Sequence, residues 1–198
     1  MPPIDQFRQN IARVQTLLGT YSALEPQITA ALDLSDILRA TLVLSVSAFD
    51  HLVHEVVRTG MLEVYAGTRL ETPSFRRFDV SIDSVRRATS SGNNLDWFDA
   101  EVRARHAFQT FQRPDRVADA IRLISSVEMW PVIAQSIGAT PEDVRRQLDL
   151  IVTRRNQIAH EADMDPAFPG TRWPIAEADV GDAISFLSLV GETLVTVT

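Results

Sequence analysis

The stretch that most restricts this chain runs from Asp33 to Tyr65, DLSDILRATLVLSVSAFDHLVHEVVRTGMLEVY. Asp33 or Ser35 can cap a helix there, and the run from Leu38 to Phe49 is apolar around nearly its whole circumference. That run predicts the central element of a helical bundle, covered on several sides.

The remaining segments supply the cover. Ile4, Phe7, Ile11, Val14, Leu17, Leu18, Tyr21 and Leu24 recur at helical spacing, so residues of about 4 to 24 form an amphipathic first helix closed by Pro26. A short helix capped by Ser81 follows the long one, and SSGNN is the clearest loop. Leu95 to Phe111 reads as helix with an uncertain register, and its Arg103, Arg105 and His106 read as surface. Pro114 with Asp115 opens another helix, Pro131 interrupts the run, and Gly138 ends it. Asp179 with Asp182 resembles a capping pair for a last helix through Leu194. No segment alternates like a strand. The expected fold is all-α, an up-and-down bundle of about five to seven helices in one domain over residues 1–198.

Composition limits the function. The 198 residues suffice to remove about two thirds of the unfolded surface from water. With no cysteine, disulfides and thiolate chemistry are excluded, and a cytoplasmic setting is expected. The polar start MPPIDQFRQN has no signal-peptide pattern, and no segment reads as long and apolar enough to span a membrane. A net charge of -7 repels nucleic acid overall, so any RNA contact must be local.

The best-specified helix is TPEDVRRQLDLIVTRRNQIAH, residues 140–160. Thr140 accepts from free N–H groups, Pro141 suits the first helical position, and Asp143 completes a capping box. Val144, Leu148, Ile151 and Ile158 fall on one side, yet Arg155 falls near the middle of that side. A guanidinium there needs a carboxylate from a neighbouring helix or a wet cleft. Asn156 precedes His160 by one turn, while Arg155 and His160 diverge by roughly 140° on an ideal helix. A site using both needs a frayed helix end or a second copy of the helix. Histidine suits proton transfer near neutral pH and arginine suits a phosphate, a pairing that reads as phosphodiester cleavage rather than metal hydrolysis. The bland alternative is a helix-terminal histidine and a salt-bridged arginine.

Two other groups are weaker. Asp50, His54 and Arg58 stack on one side of the long helix and His51 with Glu55 on another, most simply as a salt-bridged face. The order HLVHE is not that of a zinc protease helix, so no metal is expected. GTRLETPSFRRFD, residues 67–79, interleaves Arg76 and Arg77 with Phe75 and Phe78, either as a loop that pins two aromatics into the bundle or as a contact for single-stranded RNA.

RRNQIAHE resembles the signature of the HEPN superfamily, an arginine, a polar residue, three variable residues and a histidine, matched by Arg155, Asn156 and His160. SAFDHLVHEVVRTGMLEVYAG, TPSFRRFDVS and NQIAHEAD resemble its RiboL-PSP-HEPN branch from about Thr41 to His160. The resemblance implies a helical bundle that forms a homodimer, and metal-independent endonuclease action on RNA with no cofactor. It implies use as a toxin or anti-phage effector, with an antitoxin or other defence-system protein as partner and no membrane. By the same implication Arg155, Asn156 and His160 are catalytic, the products carry 2',3'-cyclic phosphate and 5'-hydroxyl ends, and two signature helices face each other through Leu148, Ile151 and Ile158. Arg154, at a spacing some members use, and the loop residues Arg76 and Arg77 are candidate substrate contacts. The alternative is a non-catalytic HEPN module for dimerisation or for nucleotide or RNA binding, favoured by Glu161, Asp163 and Asp165 crowding the histidine. A nucleotidyl-transfer domain is not indicated, since no Gly-Ser pair with distant aspartates is present.

Overall fold

The computed structural model describes residues 1–29, 32–90 and 95–198, so most of the SSGNN segment lies outside the described residues. Eight α-helices occur among them: α1 (Pro3–Leu24), α2 (Ser35–Tyr65), α3 (Ile82–Ser90), α4 (Asp96–His106), α5 (Pro114–Ile121), α6 (Met129–Ile137), α7 (Pro141–His160) and α8 (Glu177–Val197). No strand is present among the described residues, only an isolated bridge between Met164 and Arg172. The fold is the all-α bundle expected, with one helix more than anticipated.

α2 occupies the centre because most of its circumference is apolar, and only one stripe, Ala40, Leu44, Ser47 and His51, is left exposed. It packs on α1 and α8, which also pack on each other, and its opposite side takes α7, α5 and α4. Leu38, Phe49, Leu52 and Met61 of α2 are enclosed with Phe7 of α1, Leu148 of α7, and Leu187 and Leu194 of α8. Each enclosed leucine contributes about 1.5–3 kcal/mol relative to an exposed one. Gly191 lets α8 close on this centre, since a Cβ there would stand 2.6 Å from Phe7 Cε1 and 2.9 Å from Leu52 Cδ2.

Three features differ from the sequence reading. α2 and α8 do reach the length and hydropathy of a membrane-crossing helix, although more than half of the apolar window in α2 is buried inside the bundle. α8 starts at Glu177 with no side-chain cap, two residues before Asp179. α4 stops at His106 rather than running to Phe111. The residue before Pro114 is pushed out of helical conformation, and Arg113 accordingly has ψ of 148°. Asp50 of α2 accepts from Phe111 N–H at 2.6 Å and from Gln112 Nε2 at 2.8 Å, which fixes the strip between α4 and α5 as a non-helical connection.

The 67–79 loop behaves as the packing alternative predicts. Thr72 is buried and donates to the carbonyl of Arg122 at 2.8 Å, while Phe75 and Phe78 meet Phe98 with ring centroids 5.9 and 6.1 Å apart.

Candidate functional site

α7 begins as its sequence dictates. Gly138 takes the left-handed conformation at φ 69° to end α6, and Thr140 Oγ1 accepts from Asp143 N–H at 3.1 Å while donating to the Asp143 carboxylate at 2.6 Å. Val144, Leu148, Ile151 and Val152 then face the core. Leu148 is fully enclosed by the chain's own helices, and Ile151 keeps only 6% exposure at a hollow it shares with Leu42, Leu150 and Pro174. This corrects their assignment to a dimer interface: the apolar stripe is spent on α2 and α6. Ile158, half-buried, keeps a larger part of its side chain outside.

The two adjacent arginines part company. Arg154 gives both terminal nitrogens to Asp163, one at 2.9 Å, and reaches the carbonyls of Trp173 and Pro174 at 3.4 and 3.2 Å. Asp163 is 1% exposed and also accepts from Arg39 Nε at 2.5 Å, so one buried carboxylate is shared by two guanidiniums from α2 and α7. Arg39, in the apolar run of α2, is thereby paired. The chain reaches this arrangement by turning left-handed immediately after α7, at Ala162 (φ 52°) and Asp163 (φ 58°), with Asp163 N–H bonded to the Gln157 carbonyl at 3.0 Å. Arg154 is therefore committed to Asp163 and does not line the recess that holds His160.

Arg155 has no carboxylate within ion-pair distance among the described residues. Burial pushes its guanidinium below the ordinary value, opposed by the Asp50 carboxylate on α2. It stays charged, since arginine does not lose its proton in proteins. Arg155, Asn156 and His160 line one recess of about 350 Å³, whose floor includes Val152 and whose far wall is Thr110, Gln112, Arg113 and Arg116. No fraying is needed, because α7 stays helical through His160. Asn156 falls between the two on the helix, and the wall from the α4–α5 connection spans the arc they leave.

The recess is locally basic in an acidic protein. Three guanidiniums line it, of which Arg113 is paired with Asp149 and Arg116 is exposed and unpaired among the described residues. Of the three acids that follow His160, only Glu161 lines it. Asp163 is consumed by Arg39 and Arg154, and Asp165 is buried, accepting from Ala167 N–H at 2.9 Å. The crowding inferred from sequence thus reduces to one carboxylate. Arg76 and Arg77 do not join this recess: Arg76 is bound to Glu71 and Arg77 lines a second hollow. Among the described residues no group of three or more potential ligands is placed to hold a metal ion.

Sequence reasoning missed Arg113, Arg116 and the anchoring by Asp50. Its nearest signal was the basic run around Pro114, which by itself reads as an ordinary helix start. It also took His106 for surface, whereas that imidazole is buried among His54, Phe78 and Phe111, and burial with His54 nearby lowers its pKa to about 4.

A helical bundle that gathers an arginine, the polar residue after it and a histidine one turn beyond into a single basic recess is a HEPN-type domain. The model of the RiboL-PSP-HEPN family matches residues 8–197, and the chain belongs to that family. No match is found among curated proteins or among solved structures. Membership places the chain with HEPN-type nucleases and RNA-related modules.

Proposed function

We propose that this domain is a metal-independent endoribonuclease. The observation that supports the reading best is the joint lining of one recess by unpaired Arg155 and by His160, with Asn156 between them. Arg155 binds the non-bridging oxygens of the scissile phosphate and stabilises the charge that grows on them. The 2'-oxygen attacks phosphorus, forming the P–O2' bond as the P–O5' bond breaks. His160 takes the proton of the 2'-hydroxyl or supplies one to the departing 5'-oxygen, and Asn156 orients substrate or imidazole. The products are a 2',3'-cyclic phosphate and a 5'-hydroxyl.

Both proton transfers occur at one phosphorus, and the recess holds one imidazole. A homodimer that brings two His160 ends together supplies the second, which is the composite arrangement the family resemblance implies. Its contact involves Ile158 and the exposed surface around His160 rather than Leu148 or Ile151. A cytoplasmic toxin or anti-phage effector restrained by an antitoxin is the corresponding biological role. The competing reading, a non-catalytic RNA- or nucleotide-binding module, draws on Glu161, whose carboxylate opposes a phosphate in the same recess.

The test is single-stranded RNA incubated with chelator present, with fragment ends identified by mass spectrometry. Cyclic phosphate and 5'-hydroxyl ends, together with resistance of the same sequence carrying 2'-O-methyl groups, support the nuclease. Binding without cleavage supports the module.

A further inference from the structure

The chain contains no lysine, so its 19 basic side chains are all arginine. Among the described residues, thirteen of them lie within ion-pair distance of a carboxylate. The six with no carboxylate at that distance among the described residues are Arg13, Arg77, Arg86, Arg116, Arg145 and Arg155. In a protein that neutralises most of its cations internally, the free ones mark where an external anion is welcome. Three of these free arginines lie along one path.

Arg155 and Arg116 line the recess at His160. Arg116 is also a wall of a second recess of about 350 Å³, where Arg77 lies with Ser74, Phe78, Gln109 and Phe111. The two hollows therefore adjoin at one guanidinium. Of the carboxylates lining the second, Asp119 is held by Arg122, which leaves Asp79 facing it. Arg105 there is tied to Glu101. The α4–α5 connection gives Gln109 and Phe111 to one hollow and Thr110 and Gln112 to the other, and it carries Phe108, which lines neither and is 97% exposed. A phenylalanine so fully wetted packs on nothing in its own chain.

Resting on the ribonuclease reading, we propose that Arg155, Arg116 and Arg77 form a track for a single strand of RNA, with the second recess receiving the nucleotides that flank the scissile phosphate and Phe108 stacking on an unpaired base. Guanidiniums in series take successive phosphates, and a solvent-facing aromatic ring takes a base of any identity. A duplex has its bases already stacked and cannot use Phe108. The substrate class is therefore single-stranded RNA, or a loop, longer than the cleavage recess alone accommodates. Arg77 is the loop arginine that serves it, and Arg76, committed to Glu71, is not.

The experiment compares kcat/KM for a dinucleotide and an octanucleotide of the same cleavage step. Arg77→Ala and Phe108→Ala each reduce the octanucleotide-to-dinucleotide ratio about tenfold. Arg77→Ala also lowers the salt slope of octanucleotide binding by about 0.7, one phosphate's worth for a single strand. Arg86→Ala, a free arginine lining neither recess, keeps the wild-type ratio. Octanucleotide cleavage whose ratio is untouched by Arg77→Ala and Phe108→Ala overturns the track while leaving the nuclease standing. If neither oligomer is cut, the nuclease reading fails, and fluorescence anisotropy with the octanucleotide decides the track: weaker binding by Arg77→Ala supports it, equal binding overturns it. Duplex RNA bound as tightly as the single strand overturns the assignment of substrate class.

Discussion

Replacing Asp163 by asparagine removes the charge at the centre of the Arg39–Asp163–Arg154 triad while keeping size and a residue type that tolerates φ 58°. Deleting one partner of a buried ion pair costs about 3–5 kcal/mol. Asparagine keeps one accepting oxygen, which returns about 1 kcal/mol, but it turns an N–H₂ towards arginine donors. Arg39 is nearly sealed, whereas the Arg154 side chain is 22% exposed and recovers part of its hydration. A net loss of about 2–3 kcal/mol follows. With urea m-values of about 1–3 kcal/mol/M for proteins of this size, the unfolding midpoint falls by about 0.7–3 M at unchanged m. Asp163→Ala forfeits the remaining hydrogen bond and places a β-carbon residue with no side-chain polar group in left-handed backbone, adding about 1–2 kcal/mol. A midpoint shift below about 0.3 M for the asparagine variant, or equal shifts for asparagine and alanine, would refute the assignment of the α7 terminus to this triad.

Neighbouring perturbations separate by mechanism. Arg154→Ala costs about 2–4 kcal/mol in urea unfolding because it strands part of Asp163, whereas Arg155→Ala costs less than about 1 kcal/mol and lowers cleavage kcat/KM by about 10²–10³. Gly191→Ala drives a methyl into Phe7 and Leu52 and destabilises by about 1–3 kcal/mol, read by thermal unfolding, with no direct effect on the recess. His106, whose folded pKa of about 4 lies below its unfolded value near 6.5, is neutral in the fold. The unfolded chain therefore binds more protons in that interval, so stability is full above about pH 6.5 and declines as pH falls to about 4; His106→Gln lacks this descent. Glu101, held near a pKa of about 2 by Ser84 with help from Arg105 and Ser81, adds a second decline below about pH 4.5 that Glu101→Gln removes.

Much of the fold was legible because it rests on local chemistry. Thr140, Pro141 and Asp143 determine the start of α7 within four residues, Gly138 ends α6, and the apolar run in α2 demands cover on several sides. The candidate site was legible only as a motif. Arg154 and Arg155 are chemically identical neighbours, and what separates them is a carboxylate nine positions beyond Arg154 that the left-handed turn at Ala162 and Asp163 folds inward. The stripe of Leu148 and Ile151 was ambiguous in the same way, because periodicity reports that a face is buried and is silent on whether the chain itself or a second copy buries it. The wall of the recess depends on Asp50 taking the Phe111 N–H across sixty-one residues, an interaction with no local trace. For that reason the sequence extends the helix to Phe111, and nothing in it singles out Arg113 or Arg116.

The central claim is that Arg155 and His160 act together on one phosphodiester without a metal. Single-turnover cleavage of a single-stranded RNA, measured with chelator present for the wild type, Arg155→Ala and His160→Ala, tests it most directly. The account predicts wild-type cleavage, with each variant slowed by about 10²–10⁴ while retaining the wild-type unfolding free energy within about 1 kcal/mol. Wild-type rates in either variant, or a wild-type reaction abolished by the chelator, would contradict it.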